Sequence, residues 1–205
     1  MQDWLTTNPG YGIILWIILY TSDYYLTLYC ARGFREIGHI QFEGSYELTP
    51  QYQNDIDTLK PISRLHVTLL ILYSLLILVI WWFTRLSPYL AWTYSLYLGM
   101  FLLLEIAIHM RHFRNVAMIG ETREHGGVEG QIAYRKWFSY RISANDLYIS
   151  ATIFLMVALL TYSLFFLGGA IMCYATGLKH ARLANKAKSI PMQVVETVHE
   201  DYSRR

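Results

Sequence analysis

Glu105, His109 and His112 follow one another at offsets of four and seven residues within an apolar run. Asp23, Thr27 and Cys30 repeat that spacing in another run. Such offsets place the three side chains of each set on one face of a helix. A carboxylate and two imidazoles on one face suit either of two chemistries. They can pass a proton or cation along a polar seam, with Asp23, Thr27, Glu105 and His109 as the path. They can also hold zinc or iron, provided one or two more ligands join Glu105, His109 and His112. His125, Glu129, His39, Glu43 and Glu47, from the connections between the apolar runs, are the candidates for that.

Plainer roles exist for the same residues. His109 can hydrogen-bond the Glu105 carboxylate one turn away and neutralise it, leaving His112 in a headgroup zone with Arg111 and Arg114. Asp23 has no cation on its own helix face. Thr27 can donate one hydrogen bond to it, and Arg64 or His66 on the next apolar run is within chain reach as an ionic partner. An unpaired charge at the centre of a bilayer costs roughly 2.5–3.5 kcal/mol on insertion scales, so neither acid is expected to stand alone.

The elements that must position these groups are membrane helices. The chain is 54% apolar and 16% aromatic over 205 residues, too apolar for an ordinary soluble domain. Its basic residues lie in connections and the tail rather than in a patch, which argues against nucleic acid as a partner. Four runs are long enough, at about 20 residues, to cross a hydrocarbon core. They cover 11–31, 62–84, 88–110 and 147–177. The last is longer than a crossing needs. It is expected to project into water as a basic stalk carrying Lys179, Arg182, Lys186 and Lys188, with a tilt or a bend near Gly168-Gly169 as the alternatives. The fold class is therefore all-α, a polytopic membrane protein with four transmembrane helices. Short interfacial amphipathic helices join them, one starting at Thr49-Pro50 and one over 131–142. Residues 1–205 form one integral membrane domain, of which 178–205 is a basic tail of cytoplasmic type. The first span is read as retained, because no basic flank or small-residue cleavage pattern accompanies it. Cys30 and Cys173, the only cysteines, read as packing residues rather than a disulfide.

Lys and Arg counts place the N-terminus outside and the two long connections in the cytoplasm of a plasma (inner) membrane. Trp4, Trp81, Trp82 and Trp92 would then gather at the outer interface. Four spans conflict with this arrangement, since they leave the basic tail outside. The string His-x-x-x-Glu-Gly occurs at 39–44 and again at 125–130. Aligning the two copies brings Asp23 and Glu105 within four residues of register. The halves 11–84 and 88–177 thus read as two parallel two-helix repeats; with only three fixed letters in the string, chance recurrence is the competing explanation. No His-Glu-x-x-His, Walker loop, Gly-x-Ser-x-Gly or dinucleotide fingerprint is present. Three functions fit. The leading one is a small oligomeric ion or proton channel or transporter, a homo-oligomer in lipid, working through its intramembrane carboxylates. The second is a membrane-embedded, zinc- or iron-dependent enzyme acting on a lipid-like substrate. The third is a scaffold or assembly subunit. Whether the chain is an enzyme is left open by the sequence.

Overall fold

A computed structural model describes Leu5, residues 8–87 and residues 90–189. Trp4, Pro88 and the tail beyond Ser189 lie outside the described residues. The described chain forms α1 (Pro9–Ile37), β1 (Ile40–Phe42), α2 (Pro50–Asp57), α3 (Arg64–Thr84), α4 (Ala91–His125), β2 (Ile132–Tyr134), α5 (Lys136–Thr161) and α6 (Leu164–Lys188). Four helices, α1, α3, α4 from Trp92, and α5, are long and apolar enough to cross a membrane. The all-α class and the membrane-spanning character of the chain follow.

Local sequence accounts for most of the boundaries. Asn8 caps α1 by accepting the Gly10 N–H, with Pro9 in the first turn, where its missing N–H costs nothing. Gly38 closes α1 and Gly126 closes α4, each with left-handed φ (69° and 65°) that a side chain would strain. The expected helix after Thr49-Pro50 is α2. Its Ile56 is buried, and Tyr52 and Leu59 pack beside it against Tyr24 and Ala31 of α1.

Three expectations need correction. The run 147–177 is two helices, not one projecting stalk. The break falls at Tyr162 and Ser163: Tyr162 adopts φ 50°, and Ser163 caps α6 by accepting the Phe166 N–H. Gly168-Gly169 lies inside α6, which is continuous through it. It is a contact surface instead, since a Cβ at Gly168 would collide with the Leu96 carbonyl of α4, and one at Gly99 with the Phe165 carbonyl of α6. These glycines let two backbones approach without intervening side chains. The basic residues from Lys179 to Lys188 do continue the helix, but α6 runs back along α5: Arg141 donates to Asn185 (2.8 Å) and Lys188 covers the Trp137 ring. Second, the segment 131–142 is not a separate amphipathic helix. Its first part is β2, and α5 begins at Lys136. Third, α4 does not stop near Met110 but continues for four further turns to His125. That extension is held by α1, whose Gly33 leaves room for Ile119 and whose Glu36 pairs with Arg123.

The packing sets direction. α1, α4 and α6 run one way: Ser22 meets His109, Glu36 meets Arg123, and Leu103 packs on Gly169. α3 and α5 run the other, as shown by Trp16 on Tyr73 and by Phe154 near Phe166. At the end where α1, α4 and α6 finish, β1 and β2 pair in parallel, Ile40 opposite Ile132 and Phe42 opposite Tyr134. Trp16, Leu98 and Leu102 form the apolar core toward the opposite end. The two His-x-x-x-Glu-Gly strings take different places. His39 lies just before β1, whereas His125 ends α4, well ahead of β2.

Candidate functional site

The polar residues of α1 and α4 face each other. His112 Nε2 lies 2.8 Å from Asp23 Oδ1 and 3.3 Å from Thr27 Oγ1. A carboxylate oxygen accepts, so Nε2 carries the proton when Asp23 is ionised. The His112 side chain is 2% exposed and Asp23 24%. His112, rather than Arg64 or His66, is therefore the partner of Asp23. His66 instead stacks between Tyr20 and Tyr24, with ring centroids 4.6 Å from each. Tyr20 continues the polar layer through a 2.8 Å hydroxyl contact with Tyr52 of α2.

One turn away, His109 is fixed at both ring nitrogens. Nδ1 is 2.7 Å from the Glu105 backbone carbonyl, and Nε2 is 2.7 Å from Ser22 Oγ. A carbonyl only accepts, so Nδ1 must be an N–H. Ser22 has one hydroxyl proton and two acceptors within reach, His109 Nε2 and the Leu19 carbonyl at 3.0 Å. If the proton points to His109, the ring is neutral; if it points to Leu19, Nε2 must donate and the ring is an imidazolium. The arrangement accommodates both charge states through rotation of a single hydroxyl. The expected bond from His109 to the Glu105 carboxylate is absent: the acceptor is that residue's main chain. Glu105 itself is 4% exposed, and its Oε2, like His112 Nδ1, meets no hydrogen-bond partner among the described residues.

A half-enclosed cavity of about 270 Å³ adjoins this layer at the end carrying the strands. His112, Arg111, Glu47 and Ser143 supply polar wall; Phe34, Phe42, Met118 and Tyr134 supply apolar wall. Arg111 donates to Ser143 Oγ (2.7 Å), which lies 2.9 Å from His180 Nδ1 of α6. Because an arginine only donates, the Ser143 hydroxyl proton is left for His180. Glu47 Oε1 accepts the Thr49 N–H at 2.6 Å. Burial pushes its carboxyl above the ordinary carboxylate range.

The remaining proposed ligands are elsewhere. His39 Nδ1 contacts the Gly130 carbonyl at 2.7 Å. Glu43 accepts the Lys136 N–H at 2.9 Å and so occupies the start of α5, where an anion is favoured. His125 pairs with Glu121 on the exposed end of α4, and Glu129 is exposed. Among the described residues, no three His, Cys, Asp or Glu side chains gather as a metal ion requires. Cys30 and Cys173 are buried free thiols in different clusters. Sequence reasoning missed Ser22, Arg111, Ser143 and His180. Ser22 and Ser143 are short hydroxyls in long helices, and only their neighbours reveal them. Arg111, between His109 and His112, carried a signal in being a charge placed directly after an apolar run.

Comparison with protein-family models, with curated proteins and with solved structures finds no match to this chain.

Proposed function

We propose that the chain is a small membrane transport protein that moves protons, or a cation in exchange for them, along the α1–α4 interface. The observation that carries this reading is the Asp23–His112 contact, partly buried between two membrane helices while His112 also walls the cavity. Ionisable groups inside membrane segments are costly there and commonly mark proton and ion paths. From the cavity the path runs through His112 to Asp23, then to Ser22 and His109, then to Glu105. A proton arriving at His109 Nε2 turns the Ser22 hydroxyl toward Leu19, and its departure turns the hydroxyl back; handing the proton on to the Glu105 carboxylate requires the imidazole to turn, since both ring nitrogens are engaged elsewhere. The Glu105 oxygen that lacks a donor is where a proton or cation is bound in turn. Trp16, Leu98 and Leu102 close the far side, so passage requires their displacement.

In this reading α6 is a fifth crossing, the N-terminus is outside, and the end carrying the strands faces the cytoplasm of a plasma (inner) membrane. The turn at Tyr162 then returns the basic end of α6 to the cytoplasmic side, which satisfies the positive-inside rule that four crossings violate. The exposed apolar faces of α3 and α5, such as Leu72 and Leu75 or Ile149 and Met156, meet lipid and neighbouring copies of a homo-oligomer.

The test is flux in proteoliposomes carrying a pH-sensitive dye, with sodium or potassium gradients imposed in turn. Asp23→Asn and Glu105→Gln keep the shapes of the side chains while removing their charge and are expected to abolish flux. Wild-type flux in both variants would overturn the proposal.

A further inference from the structure

Arg111 is out of balance with its surroundings. A guanidinium is always charged and presents five N–H donors. Among the described residues it has one hydrogen bond, to the neutral hydroxyl of Ser143, and no ion pair. Its neighbour Arg114 is neutralised by a two-pronged contact with Asp146 (3.1 and 3.2 Å). Glu47 shares the cavity, but its Oε1 is engaged by the Thr49 N–H and it makes no ion pair with Arg111. Asp23 is engaged by His112. Arg111 therefore faces the cavity with no anion hydrogen-bonded to it or ion-paired with it among the described residues, which leaves a partly buried charge open to a counter-ion. Much of the remaining wall is apolar: Phe42 meets Phe34 edge to face (5.2 Å between centroids) and stacks on Tyr134 (5.5 Å), with Met118 beside them. At about 270 Å³ the space is near the lower end of ligand sites, which begin at roughly 300 Å³.

We infer that this cavity binds an anionic amphiphile, its oxyanion head on the Arg111 guanidinium and its apolar part against Phe34, Phe42, Met118 and Tyr134. The site does not depend on the transport reading, because Arg111, Phe34, Phe42, Met118 and Tyr134 take no part in the proposed proton path, with which it shares only the cavity and its wall residue His112. The same chemistry is offered by a lipid of the surrounding leaflet and by a soluble amphiphile.

The experiment uses the full chain in phosphatidylcholine nanodiscs and titrates octyl phosphate, inorganic phosphate and octanol by calorimetry. Octyl phosphate is expected to bind saturably. Arg111→Gln, which keeps a donor for Ser143, should weaken that binding about tenfold or more, the loss of one charge-assisted contact. Ser139→Trp fills the cavity from its rim, leaves the Arg111–Ser143 bond alone, and should weaken it comparably. Octyl phosphate binding unchanged in both variants would overturn the proposal. So would octanol binding as tightly as octyl phosphate, or inorganic phosphate doing so, since one dispenses with the head and the other with the apolar wall. Mass spectrometry of protein extracted from native membranes separates the sources. A retained anionic phospholipid, missing in Ser139→Trp, supports the leaflet; octyl phosphate binding without such a lipid supports a soluble ligand.

Discussion

Truncating the two partners of the Asp23–His112 contact, singly and together, measures how strongly the halves of the molecule are joined. In Asp23→Ala the His112 Nε2–H loses its 2.8 Å acceptor and keeps only Thr27 at 3.3 Å, beyond the usual distance for a strong bond. The imidazole is 2% exposed, so water cannot readily replace the lost acceptor. A buried donor left unsatisfied costs about 1–3 kcal/mol. Hydrogen bonds between membrane helices average about 0.6 kcal/mol in double-mutant cycles and reach about 1.7. With one ionisable partner and a substitute as poor as Thr27, the coupling between Asp23→Ala and His112→Ala should lie near the top of that range, at about 1.5 kcal/mol. Asp23→Asn, whose amide oxygen still accepts, should lose much less than Asp23→Ala. The assay is the unfolding midpoint in mixed micelles titrated with sodium dodecyl sulfate, for wild type, both single variants and the double variant. A coupling below about 0.5 kcal/mol, the scatter expected of independent sites, would refute the claim that this contact holds α1 to α4.

Two further outcomes follow from features of the polar end and of the α5–α6 turn. Tyr162 is 93% exposed and strained at φ 50°, so Tyr162→Gly should raise stability by about 0.5–1 kcal/mol in the same micelle titration; an unchanged or lowered midpoint counts against a left-handed turn there. The Glu47 carboxyl is raised by burial, so the folded state binds its proton more tightly than the unfolded state. That contribution is full below the ordinary carboxyl value, near pH 4.3, and is lost as pH rises through the folded value. Glu47→Gln mimics the protonated form and should match wild type in thermal unfolding at pH 4 but exceed it at pH 7, whereas a pH-independent difference contradicts the assignment.

What the sequence made legible was whatever rests on local period and composition. The apolar runs around Asp23, Leu70 and Glu105 are the helices α1, α3 and α4, the shared face of Glu105, His109 and His112 is real, and Thr49-Pro50 starts α2. What it hid rests on partners far away in the chain. The break at Tyr162 lies in an unbroken apolar stretch whose only cue is a serine able to cap. The continuation of α4 to His125 depends on α1 alongside it, not on its own amphipathicity. The strands are three residues each, too short to show an alternation, and exist because Ile40 and Ile132 meet. The choice of His112 over His66 for Asp23 could not be read either, since both lie within reach of a flexible chain and only packing distinguishes them.

The contacts that complete the polar layer also impose an order on biosynthesis. Asp23 and His112 are 89 residues apart, and Glu43 and Lys136 are 93 apart. At about 5–20 residues per second, the ribosome spends roughly 5–20 s between delivering each first partner and its second. Through that interval α1 and α3 sit in the bilayer with Asp23 waiting, and β1 has no strand to join. The first hairpin is thus a half-built intermediate by construction. The arrival of α4 supplies the partner of Asp23, and only β2 and the start of α5 supply those of β1 and Glu43.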